Sequence, residues 1–403
     1  MTDPFTGKVN TDHVDDRAFH KRVRRHVAGR IRKYFAVTAP GVEEICRQEL
    51  IDLGFDPSVM SVDTGGVAFS GRLADCQRAN LHLRTATRIL MRIEAFSATN
   101  LRRLEKKAGD IAWELFLPPG LLPAVKVSSR RSRLYHTAAI ARSIGDSITR
   151  RLDGAERPPS PVFPQTLFVR AVEDRFTLSL DSSGEPLYKR GLKAGPAVAP
   201  IRENLAAAIL MAAGYDPRRP LVDPLCGSGT FSLEAAMIAK QMAPGLKREF
   251  AFMGWPAFSE GQWGFIKREA ESTVQDLMQP LIYASDIDAG SCDRLAGMIA
   301  GNGLSDAVKV VHKDFFQCAA DQYGHGTGLV VINPPYGIRI GSAKKADALF
   351  KTIGRHLEQR FKGWTVAMIA PRPDLARSLP FPASRLPLYH GGLKLTLVLG
   401  DVP

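Results

Sequence analysis

Leu221-Val222-Asp223-Pro224-Leu225-Cys226-Gly227-Ser228-Gly229-Thr230 is an apolar strand that breaks into a two-glycine loop and continues into the helix-forming run Phe231-Ser232-Leu233-Glu234-Ala235-Ala236. Gly227 and Gly229 let backbone come close to a ligand at the start of that helix, where free N–H groups gather. A two-glycine loop alone is equally a plain tight turn, so the residues beyond it decide the reading. Downstream, apolar runs at 221–224, 281–286, 308–312, 329–333 and 364–370 alternate with helical periodicity at 230–241, 289–302 and 346–360. That alternation predicts a parallel sheet covered by helices, with ligands bound where the strands end.

The next strand ends in Ala284-Ser285-Asp286-Ile287-Asp288, about 60 residues beyond the loop. The dinucleotide-binding fingerprint has its acid about 20 residues on, so the spacing disfavours a dehydrogenase. Asp286 is the candidate for ribose hydroxyls, and Asp288 is placed to cap the helix that starts near Ala289. The third strand ends in Lys313-Asp314-Phe315-Phe316. There Asp314 is either a turn acid or an acceptor for an adenine amino group, with Phe315 packing on the ring.

Asn333-Pro334-Pro335-Tyr336-Gly337 ends the fourth strand and is the most specific motif in the chain. Two prolines supply stiff backbone without N–H donors, leaving fixed carbonyls free to accept. Methylating an amino group on an aromatic ring needs such a corner. If the Asn333 side-chain oxygen and the Pro334 carbonyl both accept from the amino hydrogens, the nitrogen lone pair is turned out of the ring and aimed at an electrophilic methyl. Tyr336 can stack on a base taken out of its helix.

The remaining composition is that of an ordinary globular protein: 403 residues, 45% hydrophobic, 24% charged. No apolar run approaches the roughly 18–20 residues of a membrane span, and the polar N-terminus lacks the apolar core of a secretory signal, so a cytoplasmic location is expected. Five cysteines without a C-x-x-C pair read as reduced thiols, with neither a disulfide framework nor a metal site. The isoelectric point is about 9.6. The basic excess is uneven: residues 1–190 hold 31 Lys+Arg against 22 Asp+Glu, and 191–403 hold 23 against 19. Residues 17–33 carry eight basic residues and no acid, and residues 126–151 carry seven with only Asp146 opposing. A solvated face explains either run alone; together they favour a polyanion such as nucleic acid.

Residues 1–30 read as a basic N-terminal arm. From Tyr34 a strand and an amphipathic helix (41–53) begin an α+β region with further helix at 73–85, 100–108 and 136–151. In the last of these, Ile140, Ile144 and Ile148 share a stripe. Strands at 167–172 and 175–181 close this region, and the boundary falls near 185.

In this order, D-P-L-C-G-S-G-T, S-D-I-D, K-D-F-F and N-P-P-Y-G resemble the amino-directed class I S-adenosylmethionine-dependent methyltransferases, a resemblance that covers about 185–403. The stretches 188–191, 199–208 and 243–252 resemble the bacterial branch that methylates guanine N2 in 23S rRNA. Tyr34–Leu53 resembles its ferredoxin-like segment, and 126–137, with Ser132-Arg133-Leu134-Tyr135-His136-Thr137, resembles a THUMP RNA-binding domain. The implied fold is a Rossmann-like α/β methyltransferase domain (185–403) behind a ferredoxin-like segment (31–75) and a THUMP domain (76–184).

The resemblance implies that Gly227, Ser228 and Gly229, with Asp223, Cys226 and Thr230 around them, line the methionine end of S-adenosylmethionine. It assigns Asp286 and Ile287 to ribose and adenine, and Asp314 and Phe315 to adenine. Asn333, Pro334, Pro335 and Tyr336 form the target-base site, and Lys126, Arg130, Arg131, Arg133 and Arg142 face RNA. Leu225 stands where relatives often have Phe, Leu192-Lys193 where an aromatic-Arg pair is common, and residues 1–30 have no counterpart. The expected reaction is methyl transfer to guanosine N2 of 23S rRNA without a metal. The same reaction on tRNA, a DNA adenine methylase and a non-catalytic RNA-binding or ribosome-assembly factor are the alternatives.

Overall fold

The computed structural model describes residues 12–118, 120–152, 162–192, 201–324, 326–335 and 343–403. Strands β1 (Arg32–Val37), β2 (Ser61–Asp63), β3 (Gly66–Gly71), β4 (Arg88–Ser97), β5 (Ala124–Arg130), β6 (Thr166–Val172) and β7 (Arg175–Asp181) form one sheet in the order β2-β3-β1-β4-β7-β6-β5. All neighbours are antiparallel except β5 and β6, so the segments 31–75 and 76–184 contribute strands to the same sheet. Helices α2 (Glu43–Asp52), α3 (Leu73–His82), α4 (Leu101–Gly109) and α5 (Thr137–Leu152) accompany it. The stripe Ile140, Ile144 and Ile148 is fully buried, as its spacing predicts.

The expected N-terminal arm is, over its described part, a helix. Helix α1 (Asp12–Val23) runs into a π-helical turn at Arg24–Ala28. Four-residue spacing puts Val23 and Val27 on one side, and both are buried in the core of the first sheet, with Phe19 and Ala28 packed against it.

The second sheet contains β8 (Leu221–Asp223), β9 (Ile282–Asp286), β10 (Val308–His312), β11 (Leu329–Ile332), β12 (Thr365–Ala370), β13 (Ser384–His390) and β14 (Leu393–Asp401), in the order β10-β9-β8-β11-β12-β14-β13. The first five are parallel, as the alternation predicts. Helices α6 (Glu203–Ala212), α7 (Thr230–Ala239), α8 (Glu260–Ser272), α9 (Ala289–Gly301), α10 (Ala343–Arg360) and α11 (Pro373–Arg377) complete this half. The antiparallel hairpin β13–β14 is a finding beyond the sequence reading. Its turn is Gly391-Gly392, both at positive φ (57° and 82°), the conformation a two-residue hairpin connection requires.

The two halves are locked by a segment that comes after α7 in sequence but packs against the first sheet. Phe250, Phe252 and Trp255 belong to the first sheet's core. Gly245 N donates to the Leu81 carbonyl at 2.9 Å, and a Cβ on Gly245 would lie 2.9 Å from Leu81 Cα, so only glycine fits this crossing. Gln165 donates to the Ala251 carbonyl and accepts from Trp255 Nε1 at 2.8 Å.

Charged side chains gather at the same seam. Arg190 donates to Glu234 Oε1 at 2.9 Å with 2% and 0% of the two side chains exposed. It also donates to the Leu187 and Arg84 carbonyls. Arg84 in turn donates to the Met242 carbonyl at 2.7 Å, beyond the end of α7. A buried ion pair whose second partner is removed leaves an uncompensated charge, which costs about 3–5 kcal/mol. Glu234→Ala is therefore expected to lower the urea unfolding midpoint by that equivalent, and the paired apolar change Arg190→Met/Glu234→Leu to recover part of it. Unchanged midpoints would show that the pair does not hold the seam.

Candidate active site

Because β8 lies between β9 and β11 and runs parallel to both, three strand ends stand side by side. Asp223 pairs with Ala284 on one side, and Val222 with Val330 on the other. Neighbouring strands are about 4.8 Å apart, so the glycine loop after β8, Asp286 at the end of β9 and Asn333 after β11 share one edge. The asparagine corner and the glycine turn are therefore neighbours.

The loop is held by the next strand. Gly227 N donates to Asp286 Oδ2 at 2.8 Å, Asp288 N donates to Asp286 Oδ1 at 3.0 Å, and Cys226 N donates to the Ser285 carbonyl at 2.9 Å. Both Asp286 oxygens thus organise backbone and keep lone pairs for hydroxyl donors. The two glycines are needed for different reasons. Gly229, at φ 69°, would place a Cβ 2.2 Å from Leu295 Cδ1 of α9, so it permits the loop to pack on that helix. Gly227, at φ 50°, has nothing within 4 Å of where a Cβ would sit and presents bare backbone to open space.

Asp223, Cys226 and Thr230 are buried, and Ser228 is half-buried with its hydroxyl 3.3 Å from that of Thr230. Asp223 accepts from Ser232 Oγ at 2.7 Å in the first turns of α7. Burial pushes its carboxyl up to about 7, the nearby Asp286 charge adds to this, and the Ser232 bond opposes it. Burial likewise raises the Cys226 thiol far above its ordinary range, so it stays protonated.

Asp288 caps α9 by accepting from Ser291 N at 3.0 Å, as its position predicts. Asp314 accepts from Phe316 N at 3.0 Å and caps a short 3-10 turn. That turn corrects the expectation for Phe315. Its ring is buried, with its centroid 4.7 Å from the His356 ring and 6.4 Å from that of Phe361. It is core, not a stacking surface. The exposed apolar side chains at these strand ends are Phe316 (40%) and Ile287 (68%).

Asn333 Oδ1 is buried and has no hydrogen-bond partner among the described residues. An unmet buried acceptor costs about 1–3 kcal/mol. Such atoms occur elsewhere among the described residues, and this one is set apart by its place beside the glycine loop at the strand-end edge, where a donor can arrive. Pro334 is buried and Pro335 half-buried; Tyr336 lies outside the described residues. Arg372, just past β12 and absent from the sequence reading, donates to Asp347 Oδ2 at 2.7 Å and to Asp374 Oδ1 at 3.1 Å, tying α10 to the strand beside β11. Only the P-R-P-D run after the fifth strand hinted at it.

Lys126, Arg130, Arg131, Arg133 and Arg142 are all exposed, on edge strand β5, the loop after it and α5. Arg131 pairs with Glu173 at 2.8 Å and Arg133 with Asp174 at 3.0 Å. The Lys126 ammonium sits 5.7 Å from the Phe168 ring centre. In the same loop Tyr135 is 67% exposed, its ring centroid 4.1 Å from that of His136. Among the described residues no group of three His, Cys, Asp or Glu side chains is placed to hold a metal, and no helix is long and apolar enough to cross a membrane.

A glycine turn, a neighbouring acid and an open asparagine acceptor at one edge of this sheet define a class I methyltransferase fold carried behind a ferredoxin-like module. Residues 190–385 match the RMKL-like methyltransferase domain, and residues 33–90 match the RlmL ferredoxin-like domain. The Synechocystis protein named "Putative RNA methyltransferase slr0064" is 33% identical over 383 residues, 91% of this chain and 96% of that one. The ribosomal RNA large subunit methyltransferase K/L of Syntrophotalea carbinolica is 34% identical over 384 residues, 92% of this chain and 53% of its own length, so the chain spans about half of that relative. Among solved structures, "SMU.472, a putative methyltransferase complexed with SAH" superposes with a TM-score of 0.82 at 29% identity, covering 93% of this chain and 98% of that one. The chain belongs to the RMKL-like methyltransferase family.

In Gly229→Ala the new methyl meets both Leu295 and an unfavourable φ, so stability is expected to fall by about 1–3 kcal/mol in thermal or urea unfolding. A variant as stable as the parent would show that the loop is not packed on α9. Asp223 holds its proton to about pH 7 when folded but ionises near 3.9 when unfolded, so the folded state binds more protons in between and stability falls as pH rises from about 4 to 7. Asp223→Asn removes that dependence. Its unfolding midpoint should gain on the wild type over this window and run parallel to it above, whereas parallel curves throughout would contradict a buried neutral carboxyl.

Proposed function

We propose that this chain transfers a methyl group from S-adenosylmethionine to the exocyclic N2 amine of a guanosine in 23S rRNA. The observation that carries the reading is the unpartnered, buried Asn333 Oδ1 just past β11, the strand next to the one that ends in the glycine loop. When bound, S-adenosylmethionine supplies an electrophilic methyl on a sulfonium. The residues present suit it: bare backbone at Gly227, with Ser228 and Gly229, faces the methionine end, and Asp286 and Ile287 serve ribose and adenine. Asp314 takes the adenine amino group, and Phe316 supplies the apolar contact that the buried Phe315 ring does not.

Asn333 Oδ1 and the Pro334 carbonyl each hold one hydrogen of the target amine, and Tyr336 stacks on the extracted base. An acceptor pair of this kind orients the nitrogen and draws its lone pair out of conjugation, which is where positioning and electrostatics do their catalysis. The exposed cations Lys126, Arg130, Arg131, Arg133 and Arg142 grip RNA through its phosphates. The choice of 23S rRNA draws support from the K/L relative and from the match of 33–90 to the RlmL ferredoxin-like domain.

Mass spectrometry of nucleosides from rRNA and tRNA, with and without the gene, tests the substrate: N2-methylguanosine should disappear from 23S rRNA alone, and its loss from tRNA instead would overturn that choice. With purified protein, Asn333→Ala is expected to lower kcat by about 10²-fold or more while cofactor affinity stays within about twofold. Undiminished turnover would remove Asn333 from the chemistry.

A further inference from the structure

The first basic run remains unaccounted for by this site. It is a built face and not a loose tail. Arg17, Lys21, Arg24 and Arg25 have the spacing i, i+4, i+7 and i+8, which lines one side of a helix over about 12 Å of axis. Val23 and Val27, on the other side, are buried at 3% and 1% exposure and fix the face against the core. All four cations are exposed, and none has a carboxylate partner among the described residues. Arg22, beside them, is paired: it donates to Glu114 Oε1 at 3.1 Å. The same carboxylate accepts from Arg151 of α5 at 3.0 Å. The two basic runs of the sequence, far apart along the chain, therefore meet on one side chain. Both lie on the module that carries Lys126 to Arg142, whereas α1 lies outside the segments 33–90 and 190–385 that match known families.

We infer that this face of α1 and its π-helical turn is a second RNA-binding surface, one that takes the phosphate backbone without reading sequence. This rests on the proposed RNA substrate. Charge selects the partner: past Asp12, Asp15 and Asp16, which open α1, no acid occurs between Arg17 and Lys33, and Ile31 is the single large apolar side chain exposed in that run. A protein interface needs an apolar centre, whereas a phosphate backbone needs only cations at regular spacing. The helix lengthens the RNA footprint of the first module and raises affinity without entering the chemistry.

The test is binding of the full chain to a 23S rRNA transcript across a KCl series. Each phosphate contact contributes about 0.7–0.9 to the slope of log K against log salt, so Arg17→Gln/Lys21→Gln/Arg24→Gln/Arg25→Gln should flatten the slope by about 3. The charge-keeping variant Arg17→Lys/Arg24→Lys/Arg25→Lys should retain the parent slope, separating charge from packing. In turnover the glutamine variant should raise KM for RNA and leave kcat and the melting temperature unchanged. A glutamine variant with the parent slope overturns the inference. A flattened slope in the glutamine variant, when the parent chain binds this RNA yet transfers no methyl to it, supports the binding face and sinks only the proposed reaction.

Discussion

A three-residue strand with a parallel partner on each side sets the geometry of everything that matters in this molecule. Leu221, Val222 and Asp223 are buried, and their pairing with β9 and β11 fixes where the chain must turn. Slippage by one residue would carry Asp223 into the sheet interior and turn Gly227 away from Asp286. Because the strand is so short, the loop, the neighbouring acid and the asparagine corner lie within about two strand spacings of one another. The same constraint explains the unusual acid at its end: Asp223 is buried, so its carboxyl is pushed up to about 7, and it holds α7 through Ser232.

The seam between the halves has a matching consequence. Arg190, Glu234 and Arg84 tie α7, the helix that begins at the glycine loop, to the first module at its middle and end. The segment carrying Phe250, Phe252 and Trp255 reaches back from the second half and completes the core of the first. The basic edge of the first module and the strand-end site of the second are thus joined by buried charge and apolar packing, not by a linker alone.

Much of this was legible in residue order. Apolar runs with no polar alternation announce strands buried on both faces, and glycines and acids after them announce a strand-end site. Ile140, Ile144 and Ile148 declared their helix. What stayed hidden has physical causes. The density of charge around Val23 and Val27 masked two core residues and made a docked helix look like an arm. In Phe315-Phe316 nothing local says which ring goes inward; the Asp314 cap settles it. The Gly391-Gly392 turn was readable, but the flanking strand contains Pro387 and is largely exposed on the sheet edge, so it lacks the signature of its parallel neighbours. The cross-seam packing of Phe250 and Trp255 is a long-range contact that no local pattern encodes.

The central claim is that the glycine turn and the Asn333 corner bound a single pocket in which cofactor and target amine meet. A bisubstrate compound, with guanine joined through N2 to the sulfur position of an adenosyl-methionine analogue, tests it by calorimetry. Two sites sharing one pocket convert the second contact into an intramolecular one, so the compound should bind at least about 10²-fold more tightly than S-adenosylhomocysteine, and Asn333→Ala should abolish that advantage. A compound that binds no better than S-adenosylhomocysteine would mean that the two edges do not face one another.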